Sequence, residues 1–395
     1  MAEIGMNQRI ERDRTVLLTD WLPSGMYALI LLGISVCTFF LPVFFKEELG
    51  YNGAQIGILY AMQSVGGILA AFPAGWGNDK INSRTWVGLS LLVSAIAFVI
   101  MAGGPTFVLF TFVFFIWNLF YTLLRLSMDS QILKTDKGDR TGQRIGFYQA
   151  FRFGGLMIGA IAGGYVLDLA DFRLTLYGVG ALMMIMLLPA FWLPKTPISG
   201  SKLSEYKGDF TNPKVLLFAG WFFLFATHWG AEYTSYGLFL RENLGLTLTN
   251  MGWYMAVEFG AVMITVYVAG RHTKSPRALK VMTYLGLVTS GIGHMGMVWP
   301  NVVISAIFRG IHGAGDGLIF IVLYVGIAKL FKIERLGGNA GLLNLVSMIG
   351  MIAGALVCGP IGENFGYQVP LFWTGVMTLL LVLPLLTKGA RRAMV

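Results

Sequence analysis

The stretch GFYQAFRFGGLMIGAIAGGYVLDLADFRLTLYGVGALMMIMLLP, residues 146–189, has an ungapped counterpart 195 positions later, at residues 341–384. Gly146, Gly155, Gly159, Gly164, Gly180 and Pro189 fall on Gly341, Gly350, Gly354, Gly359, Gly375 and Pro384. Asp168 falls on Glu363 and Tyr177 on Phe372; farther upstream, Gly75 falls on Gly270 at the same offset. In a chain with 51 glycines a single coincidence carries little weight, but a run of them in register with a matched proline and a matched acid carries more. The offset is close to half of the 395-residue length. An internal repeat fixes the architecture before any residue chemistry is considered. The chain is two copies of one unit.

Composition says what the unit is made of. The chain is 56% hydrophobic and 12% charged, whereas a soluble domain carries about 25% charged residues. Apolar runs of roughly 20 residues are the length an α-helix needs to cross the hydrocarbon layer. Twelve can be drawn, at about 23–45, 54–75, 85–103, 106–127, 143–167, 172–193, 214–240, 250–270, 278–299, 302–328, 340–362 and 368–387. Six fall in each half. The reading is an all-α integral membrane protein with 12 transmembrane helices in two six-helix bundles, 1–193 and 214–395, joined by a cytoplasmic linker over 194–213.

Charge sets the orientation. With the N-terminus in the cytoplasm, 24 basic residues lie inside: Arg9, Arg12, Arg14, Lys80, Arg84, Arg125, Lys134, Lys137, Arg140, Arg144, Lys195, Lys202, Lys207 and Lys214 in the first part. Arg271, Lys274, Arg277, Lys280, Lys329, Lys332, Arg335, Lys388, Arg391 and Arg392 complete the set, against Lys46, Arg173 and Arg241 outside. This lopsidedness predicts both termini in the cytoplasm and a plasma (inner) membrane location. The net charge of +9 is thereby accounted for by topology, and nucleic acid is not an expected partner.

The polar start MAEIGMNQRIERDR carries no apolar core with a cleavage site, so no signal peptide is expected. Cys37 and Cys358 both sit inside apolar segments, which excludes a disulfide framework and a CxxC metal site. No nucleophile–base signature, phosphate loop or zinc motif is present, so an enzyme is not expected, nor any cofactor.

Three motifs carry a family resemblance. Between segments 2 and 3 the chain reads Gly75-Trp-Gly-Asn-Asp79-Lys80-Ile-Asn82-Ser83-Arg84; segment 10 holds Arg309-Gly-Ile-His312-Gly313-Ala-Gly315; segment 11 ends in Gly359-Pro360-Ile-Gly362. With twelve helices in two parallel-related halves, this resembles the major facilitator superfamily. Its loop signature G-x-x-x-D-(R/K)-x-G-(R/K)-(R/K) is matched at Gly75, Asp79, Lys80 and Arg84 but not at Asn82 or Ser83. The R-x-x-x-G-x-G pattern usually belongs to helix 4. The glycine–proline pattern is one that drug antiporters carry in helix 5, which here has Gly163-Gly164 and no proline. The resemblance implies that helices 5 and 11 face helices 8 and 2 across the halves. Gly155, Gly159 and Gly163, with Gly350 and Gly354, are then expected to form close and moving helix contacts. At the cytoplasmic mouth Asp79, with Lys80 and Arg84, is expected to hold a gate, pairing with a neighbouring helix N-terminus or with these two basic residues.

Ionisable residues inside the bilayer are costly unless paired or hydrated, and so mark function. The second half carries His228 and Glu232 on segment 7, Glu258 on segment 8, His294 on segment 9, and Arg309, His312 and Asp316 on segment 10. The first half carries Arg152 in mid-helix, with Gln63, Asn118 and Gln149 as uncharged company; Arg125, Asp129 and Arg144 lie at helix ends within reach of water. His228 and Glu232 share a helix face, as do His312 and Asp316. Arg309 can neutralise Glu258 or Glu232, leaving another carboxylate to take up a proton, and imidazoles titrate near neutral pH. The pattern resembles the lactose-permease and nucleoside-symporter branch. There a helix-8 glutamate, a helix-10 histidine–acid pair and an arginine work on proton coupling, while a helix-5 arginine holds substrate. Here the histidine-to-acid spacing is four rather than three, and the arginine lies on helix 10 rather than helix 9.

The expected function is therefore secondary active transport of a small solute by alternating access, with proton symport driven by the proton gradient. Glu232, Glu258, Arg309, His312 and Asp316 are expected to couple the proton, and Arg152, Asn118, Gln149, Gln63 and His228 to bind substrate. Two other carriers fit the same residues. One is a proton antiporter exporting amphipathic or drug-like compounds. The other takes a divalent metal on His228, Glu232, Glu258, His312 and Asp316, since imidazole and carboxylate suit such ions. A carrier fold that senses a ligand or assists assembly is a further class, with no extra domain or tail to support it. The expected partners are solute, proton and lipid bilayer, and the expected state is a monomer.

Overall fold

The computed structural model describes residues 17–41, 44–51, 53–135 and 140–386. Arg9, Arg12, Arg14, Lys137, Lys388, Arg391 and Arg392 lie outside the described residues, as do the side chains of Lys46 and Asp168. All regular structure among the described residues is helical. The first half holds α1 (Leu22–Thr38), α2 (Gly53–Lys80), α3 (Ser83–Ala102), α4 (Phe107–Thr135), α5 (Thr141–Leu169) and α6 (Phe172–Ile185). The second holds α7 (Pro213–Ala231), α8 (Leu248–Gly270), α9 (Pro276–Gly296), α10 (Val302–Leu330), α11 (Leu336–Phe365) and α12 (Gln368–Leu380). Ten of the described helices are long and apolar enough to cross a bilayer; α9 and α12, at 21 and 13 residues, complete the twelve. Large apolar side chains such as Phe112, Leu174 and Ile264 are exposed on the outer faces, where lipid takes the place of a protein partner.

Helix starts are written locally. Asn82, Asp171, Asn212, Thr247 and Asn301 each accept a hydrogen bond from a backbone N–H in the first turn of the following helix. This satisfies donors that the helix itself leaves unpaired. Pro213 and Pro276 open α7 and α9, where a missing N–H costs nothing.

Packing follows the repeat. α1 lies on α5, α2 on α4, and α3 on α4 and α6; 195 positions on, α7 lies on α11, α8 on α10, and α9 on α10 and α12. Across the halves α2 meets α11 and α8 meets α5. A Cβ on Gly75 would collide with the backbone of Gly337 and Gly341, and one on Gly270 with that of Gly142 and Gly146. Each of these residues is the 195-offset mate of one in the other set, so one backbone crossing is made twice.

The glycine row expected at a moving surface lies elsewhere. Gly155 faces the Ala28 backbone and Gly159 that of Leu32, both in α1, and Gly163 faces Val36. Gly350 and Gly354 face Phe223 and Thr227 of α7, the repeat mates of Ala28 and Leu32. These contacts are inside each half, not between halves. The reason is angular: successive residues sit about 100° apart on a helix, so this row points away from the row Gly142, Gly146 and Gly164 that meets α8. Glycine spacing identifies a close contact without naming the helix on the other side.

The segment between the halves is not a plain linker. Residues Leu203–Phe210 form a helix that docks on the start of α11.

Candidate functional site: a central cavity beside a buried charge cluster

At the basic end, Asp79 at the foot of α2 accepts hydrogen bonds from the backbone N–H of Gly337 (2.9 Å) and Gly338 (2.6 Å) in the first turn of α11. Tyr206 of the linker helix donates to the same carboxylate at 2.9 Å, and Lys134 of α4 forms a buried ion pair with it. The expected pairing with a helix N-terminus is present. Lys80 and Arg84 are not its partners, however. Lys80 donates to the carbonyls of Ser199 and Ser201, and Arg84 to that of Phe191. The linker supplies the carbonyls that take Lys80, and the chain just after α6 supplies the one that takes Arg84. Gly75, one turn above Asp79, provides the crossing with Gly337 and Gly341. The fixed positive end of α11 and Lys134 together hold a charge with no exposure to solvent. Two halves are joined here through one carboxylate.

The charged residues of the second half converge in its core. Arg309 donates to both Glu232 and Glu258, rather than neutralising one and releasing the other. It also lies over the Tyr236 ring, 4.1 Å from its centroid. His312 Nε2 is 3.0 Å from Glu232 Oε1, and His228 Nε2 is 3.4 Å from Asp316 Oδ2. Asp316 accepts from Ser290 Oγ at 2.7 Å and from the Trp229 indole at 2.9 Å. α7 ends as a wider π-helical turn over Glu232–Tyr236, which turns Glu232 toward Arg309 instead of continuing the α register. All five residues expected to couple a proton are therefore in one network. His294 belongs to it as well: its ring centroid is 4.7 Å from that of His312.

Ligand-type atoms of His228, His294 and His312 lie within 4.8 Å of one another, as do those of Glu232, Glu258 and His312. These are the residues that could hold a metal. Against this stands Arg309, which occupies both glutamates and brings a fixed positive charge to the place a cation would take.

The second feature is a cavity of about 80 Å³ between the halves, lined by Arg125, Asp129 and Arg152 from the first half and Trp229, Tyr324 and Asn344 from the second, among others. Arg152 donates to the Tyr324 hydroxyl at 3.0 Å and lies 3.4 Å from Gln149 Oε1. Tyr324 in turn donates to Asp129 Oδ2 at 3.1 Å, and Tyr148 to Asp129 Oδ1 at 2.9 Å. Arg125 donates to Asn344 Oδ1 across the halves. Asp129 and Tyr324 are 195 positions apart. The two copies thus contribute an acid and a phenol at equivalent positions, and these touch.

Three expectations change here. Arg125 and Asp129 are not water-exposed helix ends: α4 runs to Thr135, two turns past its expected end, which carries both into the interior. Arg144 is also buried, bonded to Asp20 Oδ1 at 2.6 Å and Thr135 Oγ1 at 2.9 Å. Of the residues expected to bind substrate, Arg152 lines the cavity and Gln149 adjoins it through Arg152. His228 belongs to the charge cluster instead, because the helical turn that puts Trp229 toward the cavity turns His228 inward. Gln63 and Asn118 are not among the cavity residues: Asn118 donates to the Gln63 carbonyl, and Gln63 Oε1 accepts from Tyr233 at 3.1 Å. They tie α2 to α4 and to the end of α7.

Trp229 touches both features. Its indole N–H serves Asp316, while its ring lines the cavity and stacks on Phe320 with centroids 5.5 Å apart. Sequence reasoning missed Trp229, Tyr324, Asn344 and the inward role of Arg125 and Asp129. For Asp129 and Tyr324 a signal existed, since the repeat places one opposite the other.

A polytopic helical protein with a cavity between repeat halves and buried ionisable groups is a membrane transporter in class. Residues 24–306 match the family model described as Major Facilitator Superfamily, and the chain belongs to that superfamily. Multidrug resistance protein MdtH of Aeromonas hydrophila subsp. hydrophila is 23% identical over 298 residues, 72% of each chain. Among solved structures, the human organic anion transporter MFSD10 (TETRAN) superposes with a TM-score of 0.76 at 14% identity, covering 94% of this chain and 98% of its own. The transporter FucP in its outward conformation gives 0.71 at 14% identity, covering 96% and 99%. Membership makes the chain a transporter and not an enzyme.

Proposed function

We propose that the protein is a secondary active carrier of a small organic anion with an apolar body, moved by alternating access in symport with protons. The observation that carries this reading is the cavity itself. Two arginines and one aspartate leave a net positive charge at the boundary of the halves, beside the aromatic walls Phe222, Trp229 and Phe320. A carboxylate or phosphate suits paired guanidinium donors. An aromatic or aliphatic body suits the rest of the wall. At about 80 Å³, room for only two or three waters at roughly 30 Å³ each, the cavity must widen to admit such a solute. Arg125–Asn344 and Arg152–Tyr324 are the contacts that would give way.

Proton coupling is assigned to Glu232, Glu258 and Asp316. Protonating Glu258 weakens its pairing with Arg309, and protonating Asp316 changes what the Trp229 indole donates to at the cavity wall. The coupled route runs from Asp316 through Trp229 to the solute. The positive-inside pattern supports both termini in the cytoplasm and an inner-membrane location, and the chain is read as a monomer needing no cofactor beyond the proton gradient.

The aromatic wall and the multidrug-resistance relative support a second reading, proton-driven export of amphipathic compounds. The separating experiment is solute-induced thermal stabilisation of the purified protein. Aromatic and aliphatic carboxylates should raise the melting temperature, and Arg152→Gln should abolish the rise. Stabilisation by amphipathic cations, unchanged in Arg152→Gln, would instead support export and sink the anion reading.

A further inference from the structure

Helices α8 and α9 both pack on α10 and are joined at the basic end by residues 271–275. Between them lies an outward-facing groove of about 670 Å³, lined by Ile264, Val268, Val281 and Met282 with Leu318 of α10, and closed at its polar end by Arg277. Ile264 and Val281 are 61% and 54% exposed, so the groove opens on the lipid side. His272 and Ser275 lie at the same end. Arg271 directly precedes His272 in the chain, and its guanidinium lies 3.8 Å from the Tyr267 ring centroid.

The loop at this end carries cations and no acid of its own. No Asp or Glu occurs between Glu258 and Asp316, while Arg271, Lys274, Arg277 and Lys280 all do. Elsewhere at the basic end three cations are matched by acids: Lys134 by Asp79, Arg144 by Asp20, Arg335 by Asp209 and Glu205. Arg271 and Arg277 have no ion pair among the described residues. The repeat sharpens the contrast, because Lys274 occupies the position that Asp79 holds in the first copy. One copy uses its loop to latch the halves through an acid; the other places Arg277 at the mouth of an apolar groove.

We propose that this groove is a binding site for a phospholipid with an anionic headgroup, its acyl chain along Val268, Val281 and Leu318 and its phosphate on Arg271 and Arg277. The complementarity is of two kinds at once. Clustered basic residues next to a membrane helix attract anionic headgroups, and an apolar trough leading away from them accommodates a chain that a free phosphate lacks. The site is separate from the central cavity and does not depend on which solute is carried.

The test is native mass spectrometry of the purified full chain in detergent with palmitoyl-oleoyl phosphatidylglycerol, palmitoyl-oleoyl phosphatidylcholine or inorganic phosphate added. Phosphatidylglycerol adducts should exceed phosphatidylcholine adducts several-fold and survive excess phosphate. Arg271→Gln with Arg277→Gln should bring the two lipids level, whereas Lys202→Ala with Lys207→Ala, removing equal charge from the linker, should not. Val281→Trp, which fills the groove at unchanged charge, should also remove the preference. Equal retention of both lipids by the unaltered chain, displacement by inorganic phosphate, or a preference that survives either groove variant would each overturn the proposal.

Discussion

Arg309 bears more of the second half's charge balance than any sequence count assigns to it. It is 2% exposed and holds two carboxylates at once. Removing one partner from such a network leaves charges buried without compensation, a loss of about 3–5 kcal/mol. Arg309→Gln is therefore expected to lower the melting temperature of the purified protein sharply. Adding Glu232→Gln should recover part of the loss, because one stranded carboxylate is gone. Strictly additive losses in the double variant would mean that the two residues do not share a network. At this scale the sequence was legible where spacing and cost coincide: Glu232, Glu258, Arg309, His312 and Asp316 were identified as costly groups on the right faces, and they meet. His294 was visible but unassigned, since nothing in α9's own pattern aims it at α10. Arg125 and Asp129 were misread because helix ends in a membrane protein are marked weakly when the apolar run gives way to polar side chains inside the same helix.

The linker helix is the element that sequence reading missed, and the reason is physical. Eight residues form a marginal helix in isolation, so Leu203–Phe210 is helical by virtue of what it docks on. Arg335 binds Asp209 through both oxygens, at 2.7 and 2.8 Å, and Glu205 at 2.8 Å, while Asn339 donates to Asp209 at 2.8 Å. The hydrogen bonds from Arg335 hold the Asp209 carboxyl below the usual carboxylate range. Its stabilising contribution is thus present above the unfolded-state value, near 3.9, and is lost as pH falls through the lowered folded value. Partial exposure keeps the effect small. Melting temperatures between pH 6 and pH 3 should show an acid-side loss that is reduced in Asp209→Asn. An identical acid profile in that variant would remove Asp209 from the clasp. The glycine rows teach the complementary lesson. Their spacing correctly announced close backbone contacts, but only the fold shows that Gly155 and Gly159 serve α1 while Gly142 and Gly146 serve α8.

For the whole molecule, the repeat predicted more than it was asked to. Two halves and the equivalence of α2–α11 with α8–α5 both follow from one offset. The chemistry does not follow it: Arg152 has Ser347 as its mate, and Asp79 has Lys274. Scaffold is duplicated while the buried charge is divided: Arg125 and Arg152 face the cavity from the first half, Glu232, Glu258, Arg309 and Asp316 gather in the second, and Trp229 lies between them. Proteoliposomes test this division most directly. A cavity-compatible aromatic carboxylate should accumulate against its gradient when a proton gradient is directed inward, and collapse of that gradient should release it. Glu258→Gln and Asp316→Asn should lose accumulation yet retain exchange of labelled for unlabelled solute, which needs no net proton movement. Accumulation that ignores the proton gradient, or that survives in both variants, would contradict the account.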